Sequence, residues 1–154
     1  MQVFRLSRKK YASELSGTGA SKSGNRWNSK GVEIIYCSAS RALAMAEVSV
    51  HISLATLPKD FVMMEINIPS NISIQTLKEK DLPENWNDFP HNLPTQKIGN
   101  SFIYSKKACI LKVPSAVVKG DHNYLINPHH QDFHQIKILS ISVFPFDRRI
   151  FNIG

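Results

Sequence analysis

Long apolar runs are missing from this chain: the longest, near Ala42–Ala46 and Phe61–Met64, break within a few residues, well short of the roughly 18 to 20 that cross a bilayer. No membrane span is expected. Cysteine is scarce, with only Cys37 and Cys109 among 154 residues. Both sit in apolar stretches and no basic-then-apolar leader precedes them, so a cytoplasmic setting is expected. Glycine (7) and proline (8) are too few for collagen-like or low-complexity chains, while 42% hydrophobic and 20% charged residues set the chain apart from disordered ones. A single domain over residues 1–154 is expected.

Several motifs are also absent. No Gly-Lys-Ser/Thr closes a Walker loop, and no Gly-x-Gly-x-x-Gly follows a strand. No Gly-x-Ser-x-Gly elbow surrounds a serine, which argues against acyl transfer. His122, His129, His130 and His134 crowd one polar segment. Without His-Glu-x-x-His or paired cysteines they read as polar surface, and no metal site is expected.

What is present is unevenly distributed charge. The net charge is +7, yet residues 1–31 hold seven basic residues against Glu14 alone, a net of +6. Four of the seven glycines fall there too, at positions 17, 19, 24 and 31. Such a cationic, glycine-rich stretch suits a ligand with phosphate oxygens, because glycines let backbone N–H groups approach closely. The plainer alternative is a long surface loop with solvated charges. A small basic nucleic-acid-binding module is a further alternative, although no reading helix or aromatic binding motif accompanies the charge.

Patterning places strands at Glu33–Cys37, Phe61–Ile68, Cys109–Val113, Asn123–Asn127, Ile136–Phe144 and Arg149–Ile153. Helices are expected at Arg41–Leu54, capped by Ser38 or Ser40, and at Thr95–Tyr104, capped by Thr95 despite Gly99. The proline-interrupted stretch 79–94 reads as an irregular surface excursion, with Trp27 and Trp86 as core or loop anchors. Strands without a helix between each pair point to an α+β domain with a mostly antiparallel mixed sheet and flanking helices.

Leu43, Glu47, Val50 and Leu54 share one helical stripe, with His51 at its edge, which aims Glu47 at an apolar face. A carboxylate there is more often paired with a cation or functional than idle, the plainer alternative being a helix-edge Glu that reaches solvent. Ser115, in Val113-Pro-Ser-Ala-Val117, sits just past a strand end.

These residues, with Phe4-Arg-Leu6, Ser16-Gly-Thr-Gly-Ala20, Gly24-Asn-Arg-Trp-Asn28, Ile35-Tyr-Cys-Ser38, Ala42-Leu-Ala44 and Asn123-Tyr-Leu-Ile-Asn-Pro128, follow one another as in the RES domain family. The resemblance runs from about Arg5 to Arg148. It implies a fold similar to that of ADP-ribosyltransferase toxins, and a bacterial type II toxin that degrades NAD by cleaving its nicotinamide–ribose bond. It implies NAD as substrate with no bound cofactor, and inorganic phosphate as co-substrate, with hydrolysis as the variant and protein ADP-ribosylation as the alternative. It also implies an Xre-like helix-turn-helix antitoxin as partner, a homodimer, and contact with DNA only through the antitoxin. By position, the family's catalytic residues fall on Arg26, Tyr36, Glu47 and Ser115, with Arg5 and Asn127 as weaker candidates for lining the pocket. Where relatives often carry Gly-Gly before Arg-Trp-Asn, this chain has Gly24-Asn25, and Asn tolerates left-handed backbone well enough for the turn to survive.

Overall fold

One seven-stranded sheet, in the order β4-β5-β6-β2-β1-β3-β7, organises the computed structural model, which describes residues 1–91 and 93–151. Its strands are β1 (Gln2–Arg8), β2 (Ile35–Ser38), β3 (Phe61–Asn67), β4 (Ile74–Thr76), β5 (Ile110–Pro114), β6 (His122–Ile126) and β7 (Lys137–Val143). Every adjacent pair is antiparallel except β4 with β5. The α-helices among the described residues are α1 (Thr18–Ser23), α2 (Arg41–Ser49) and α3 (Leu93–Ser105). The expected α+β domain with a mostly antiparallel mixed sheet is the fold adopted.

The strand sequences explain which faces they bury. In β3, Val62, Met64 and Ile66 join Val3, Ile35, Ile110 and Ile126 in one core, while Phe61 and Met63 turn the other way to meet Phe4, Leu6 and Ala44 of α2. A strand covered on both faces reads as a nearly continuous apolar run. A separate core joins Trp27, Ile34, Phe102, Leu111, Val113 and Leu125, so α3 and the turn around Trp27 close one side of β5 and β6.

Several expectations are corrected. Strand β1 was not anticipated, because arginines at 5 and 8 break its apolar pattern. Residues 18–23 form a short helix instead of loop, ended by Gly24 at φ 72°. Helix α2 starts at its Ser40 cap, whose Oγ accepts from the Leu43 N–H at 3.1 Å, but ends five residues early. The β-branched and serine-rich tail Val48–Ser53 favours this, and Ser49 Oγ bonds back to the Met45 carbonyl at 2.6 Å. Val50 is therefore 59% exposed and leaves the stripe predicted for it. Helix α3 begins at Leu93, which puts Thr95 inside it, fully buried, and not at its cap. The strand expected at 149–153 is a 3-10 turn over Arg148–Phe151, and its last two positions lie outside the described residues.

The sheet has one incomplete seam. β1 and β3 pair through seven residues, whereas β1 meets β2 only at Phe4 and Ser38. Past that pair the strands part, and the Arg5 guanidinium crosses the gap to donate to the Tyr36 carbonyl at 2.9 Å.

Candidate functional site

A cavity of about 490 Å³ opens over this seam. Its walls come from β1, β2, Ala44, Glu47 and Val48 of α2 and the residues just past its end, the turn at Asn25–Trp27, the excursion around residues 87–91, Ala116 and Val117 after β5, and Asn123 of β6. Arg5, Arg26, Tyr36 and Glu47 all line it, so four of the six residues singled out from sequence meet at one place.

Glu47 is half-buried, one turn beyond the buried Leu43 and Ala44. Its Oε1 accepts from Ser115 Oγ and from Asn123 Nδ2, both at 2.6 Å. Asn123 is itself held, since its Oδ1 accepts from Ser38 Oγ at 2.7 Å. Ser115 is fixed because its hydroxyl accepts the Val117 and Val118 N–H groups at 3.1 and 2.9 Å. No donor among the described residues meets Oε2. The carboxylate is thus anchored by one oxygen and leaves the other unengaged among the described residues. Ser115 itself is buried beside the cavity and acts on it through Glu47.

Arg26 is tethered by Nη1, which donates to the carbonyls of Trp86 and Asp88 at 2.7 and 3.0 Å. Burial lowers its pKa from the ordinary value, and the charges of Glu47, Tyr36 and Asp88 oppose that shift; a guanidinium stays charged regardless. Trp86 packs on Trp27 with ring centroids 6.2 Å apart, which brings the proline-interrupted excursion onto the site. The two tryptophans are anchors, as expected.

Tyr36 lines the cavity while its hydroxyl is committed to other partners. The O–H donates to Asn28 Oδ1 at 2.7 Å and accepts the Trp27 N–H at 3.1 Å. Burial pushes the phenol's pKa up, so it stays protonated. Asn28, fully buried, donates in turn to the Ala20 and Val32 carbonyls, and this set of bonds shapes the turn that carries Arg26. The left-handed residue there is Gly24, whereas Asn25 keeps a negative φ and accepts the Arg26 N–H on its side chain at 2.9 Å. Helix α3 presses on the same turn at Gly99, where an added Cβ would lie 1.6 Å from the Trp27 carbonyl oxygen. That contact explains a glycine inside a helix.

Other expectations fall away from the site. Asn127 is fully buried and off the cavity wall, donating to the Ile103 carbonyl and accepting the His129 N–H. Of the basic N-terminal region only Arg5 and Arg26 reach the cavity, while Lys22 and Lys30 are exposed elsewhere. His130 is buried and accepts the Asp132 N–H, and His129 lies 3.5 Å from Glu33. No group of three or more His, Cys, Asp or Glu among the described residues is arranged to hold a metal. No helix among them is long and apolar enough to cross a membrane.

Sequence reasoning missed Asn123, His51 and His91, all of which line the cavity. Asn123 stood at the head of the Asn-Tyr-Leu-Ile-Asn-Pro motif and His51 at the edge of the helical stripe. His91 carried no signal, because its segment read as surface.

Comparisons with known proteins agree with this architecture. The RES domain family model matches residues 2–148. The chain is 36% identical over 153 residues to Toxin Res of Yersinia enterocolitica, covering 97% of this chain and 99% of that one. It is 38% identical over 136 residues to Toxin Res of Photorhabdus laumondii, covering 88% and 86%. It is 36% identical over 141 residues to a Sphingobium protein named Prs ADP-ribosylating toxin, covering 90% and 88%. A chain in the crystal structure of the M. tuberculosis MbcT–MbcA toxin–antitoxin complex superposes with a TM-score of 0.76 at 16% identity, covering 97% of this chain and 86% of that one. At that identity the likeness concerns the fold.

Proposed function

This chain belongs to the RES domain family, and from that premise we propose that it is the toxin of a toxin–antitoxin pair that cleaves NAD at the nicotinamide–ribose bond. The observation carrying this reading is Glu47, anchored through Oε1 alone, facing a cavity that also holds Arg26 and Arg5.

The chemistry needs little else. Nicotinamide in NAD is already cationic, so the glycosidic C–N electron pair passes to the ring nitrogen and neutral nicotinamide leaves without a general acid. The ribose left behind is oxocarbenium-like, and a fixed carboxylate stabilises that charge where it develops. Tyr36 offers a ring for the nicotinamide to stack on, and its hydroxyl is unavailable for proton transfer. Arg26, with Nε and Nη2 free of protein acceptors among the described residues, suits the pyrophosphate. An oxygen of inorganic phosphate, or of water, then supplies the electron pair for the new bond to the anomeric carbon; water gives up a proton in doing so.

A second reading is transfer of the ADP-ribosyl group to a protein, favoured by the name of the Sphingobium relative. The residues involved are the same and only the acceptor differs. Incubating the purified protein with NAD, with and without phosphate, separates these readings. A product carrying an extra phosphate identifies phosphorolysis, free ADP-ribose identifies hydrolysis, and a protein mass increase identifies protein transfer.

The toxin–antitoxin fold neighbour supports an antitoxin partner for this chain. We place an Xre-like helix-turn-helix protein in that role, with contact to DNA made through it, the toxin as a cytoplasmic homodimer, and no cofactor beyond the substrate.

A further inference from the structure

The cavity is also lined by two histidines that the bond cleavage itself does not use. His51 follows the end of α2, and His91 lies in the excursion that carries Trp86 and Asp88. Both line the cavity together with Arg26, so three donor-bearing side chains from three separate segments share one cavity wall. The two lips meet where Phe89 packs on His51, with ring centroids 6.4 Å apart. Neither imidazole has a hydrogen-bond partner among the described residues. Arg26 keeps Nε and Nη2 unengaged there, its Nη1 being spent on the excursion's carbonyls.

We propose that His51, His91 and Arg26 form a phosphate-binding subsite in the cavity. A phosphate group is anionic and rich in acceptor oxygens, and these three side chains offer N–H donors to it. The charged and titratable groups around the subsite are Arg5 from β1, Tyr36 from β2, Glu47 from α2 and Asp88 from the excursion. Glu47 already has Oε1 occupied by Ser115 and Asn123. Without an anion the cluster is self-repelling: burial first, then the charges of Arg26 and His51, hold His91 below its ordinary value. A bound phosphate opposes the last two causes and so favours protonated His91; for the pyrophosphate of a dinucleotide, whose charge is constant here, affinity rises as pH falls through the His91 titration.

This inference rests on the reading of the cavity as an NAD-cleaving site, where the phosphate comes either from the pyrophosphate of the dinucleotide or from free inorganic phosphate. NMR of the imidazole Cε1–H resonances tests it, using inorganic phosphate alone and then NAD added to Glu47→Gln protein to suppress turnover. The His51 and His91 signals are expected to move together and saturably, and His91 to titrate at higher pH with ligand bound. His51→Gln and His91→Gln should each weaken binding roughly tenfold, while His134→Gln, at an exposed position outside the cavity, should not. Movement with inorganic phosphate alone assigns the subsite to the free anion; movement with NAD only assigns it to the pyrophosphate. Unmoved rings with both probes overturn the subsite, whether or not nicotinamide is released by the wild-type protein. Absence of nicotinamide release, with phosphate still moving both rings, overturns the cleavage reading and leaves the subsite standing.

Discussion

Ser115 Oγ donates to Glu47 Oε1 at 2.6 Å across 68 positions of sequence. With Asn123 donating to the same oxygen, the bond turns a helix-face carboxylate into a fixed electrostatic device. A mobile carboxylate would have to reorganise as the ribose gains charge, and preorganised groups avoid that cost. On the proposed reading Ser115 and Asn123 position Glu47, and their substitution should appear in turnover more than in substrate affinity.

Asn123→Ala is expected to lower kcat by roughly ten- to a hundredfold with KM little changed. Ser115→Ala should do the same and also lose about 1 kcal/mol of stability, because the Val117 and Val118 N–H groups lose their acceptor. Ser115→Thr keeps the hydroxyl and should restore most of both. Steady-state kinetics beside urea denaturation check this; an unchanged kcat in Asn123→Ala contradicts it.

Arg26→Ala should raise KM for NAD by on the order of ten- to a hundredfold, since it removes the proposed phosphate contact and the tether to the Trp86 and Asp88 carbonyls. Arg26→Lys should recover little, because an ammonium lacks the planar fork that holds two carbonyls and still faces a ligand. Initial-rate kinetics decide, and an unaltered KM in the alanine variant would count against the assigned role.

Gly99→Ala places a Cβ 1.6 Å from the Trp27 carbonyl oxygen, which is backbone and cannot swing aside. The helix must move off the turn that carries Arg26. A loss of at least about 2 kcal/mol in folding stability is expected, accompanied by a higher KM. Thermal unfolding with kinetics on the same preparation provides the check.

Burial pushes the Cys37 thiol up to about 12 and the Cys109 thiol up to about 11. A thiol whose pKa is raised stays protonated below that value, so the reactive thiolate is scarce near neutral pH. Iodoacetamide at about pH 8 should label neither cysteine in the folded protein and both in denaturant. Rapid labelling of the native protein would contradict the buried placement.

Glu47 was legible from sequence because helical periodicity reports direction: a glutamate one turn past Leu43 faces inward whatever the rest of the fold does. The sheet's antiparallel character was legible from the lack of crossover helices. The role of the 79–94 excursion was not, since prolines and acids mark irregular backbone wherever it docks, and its docking depends on the Trp27–Trp86 contact between distant segments. The seam between β1 and β2 was equally hidden, because pairing register is a relationship between strands and β1 itself escaped detection. Asn127 illustrates the opposite error: its motif was recognisable, but its side chain serves the fold, bonding to the Ile103 carbonyl and the His129 N–H.

The most direct measurement of the central claim is the rate of nicotinamide release from NAD by the wild-type protein and by Glu47→Gln, freed of any partner and checked for folding by circular dichroism. The expected result is release by the wild type and a loss of at least about a hundredfold in the nearly isosteric, uncharged variant. Equal rates from the two proteins, or no release from a folded wild type, would contradict the electrostatic role assigned to Glu47 and the reaction built on it.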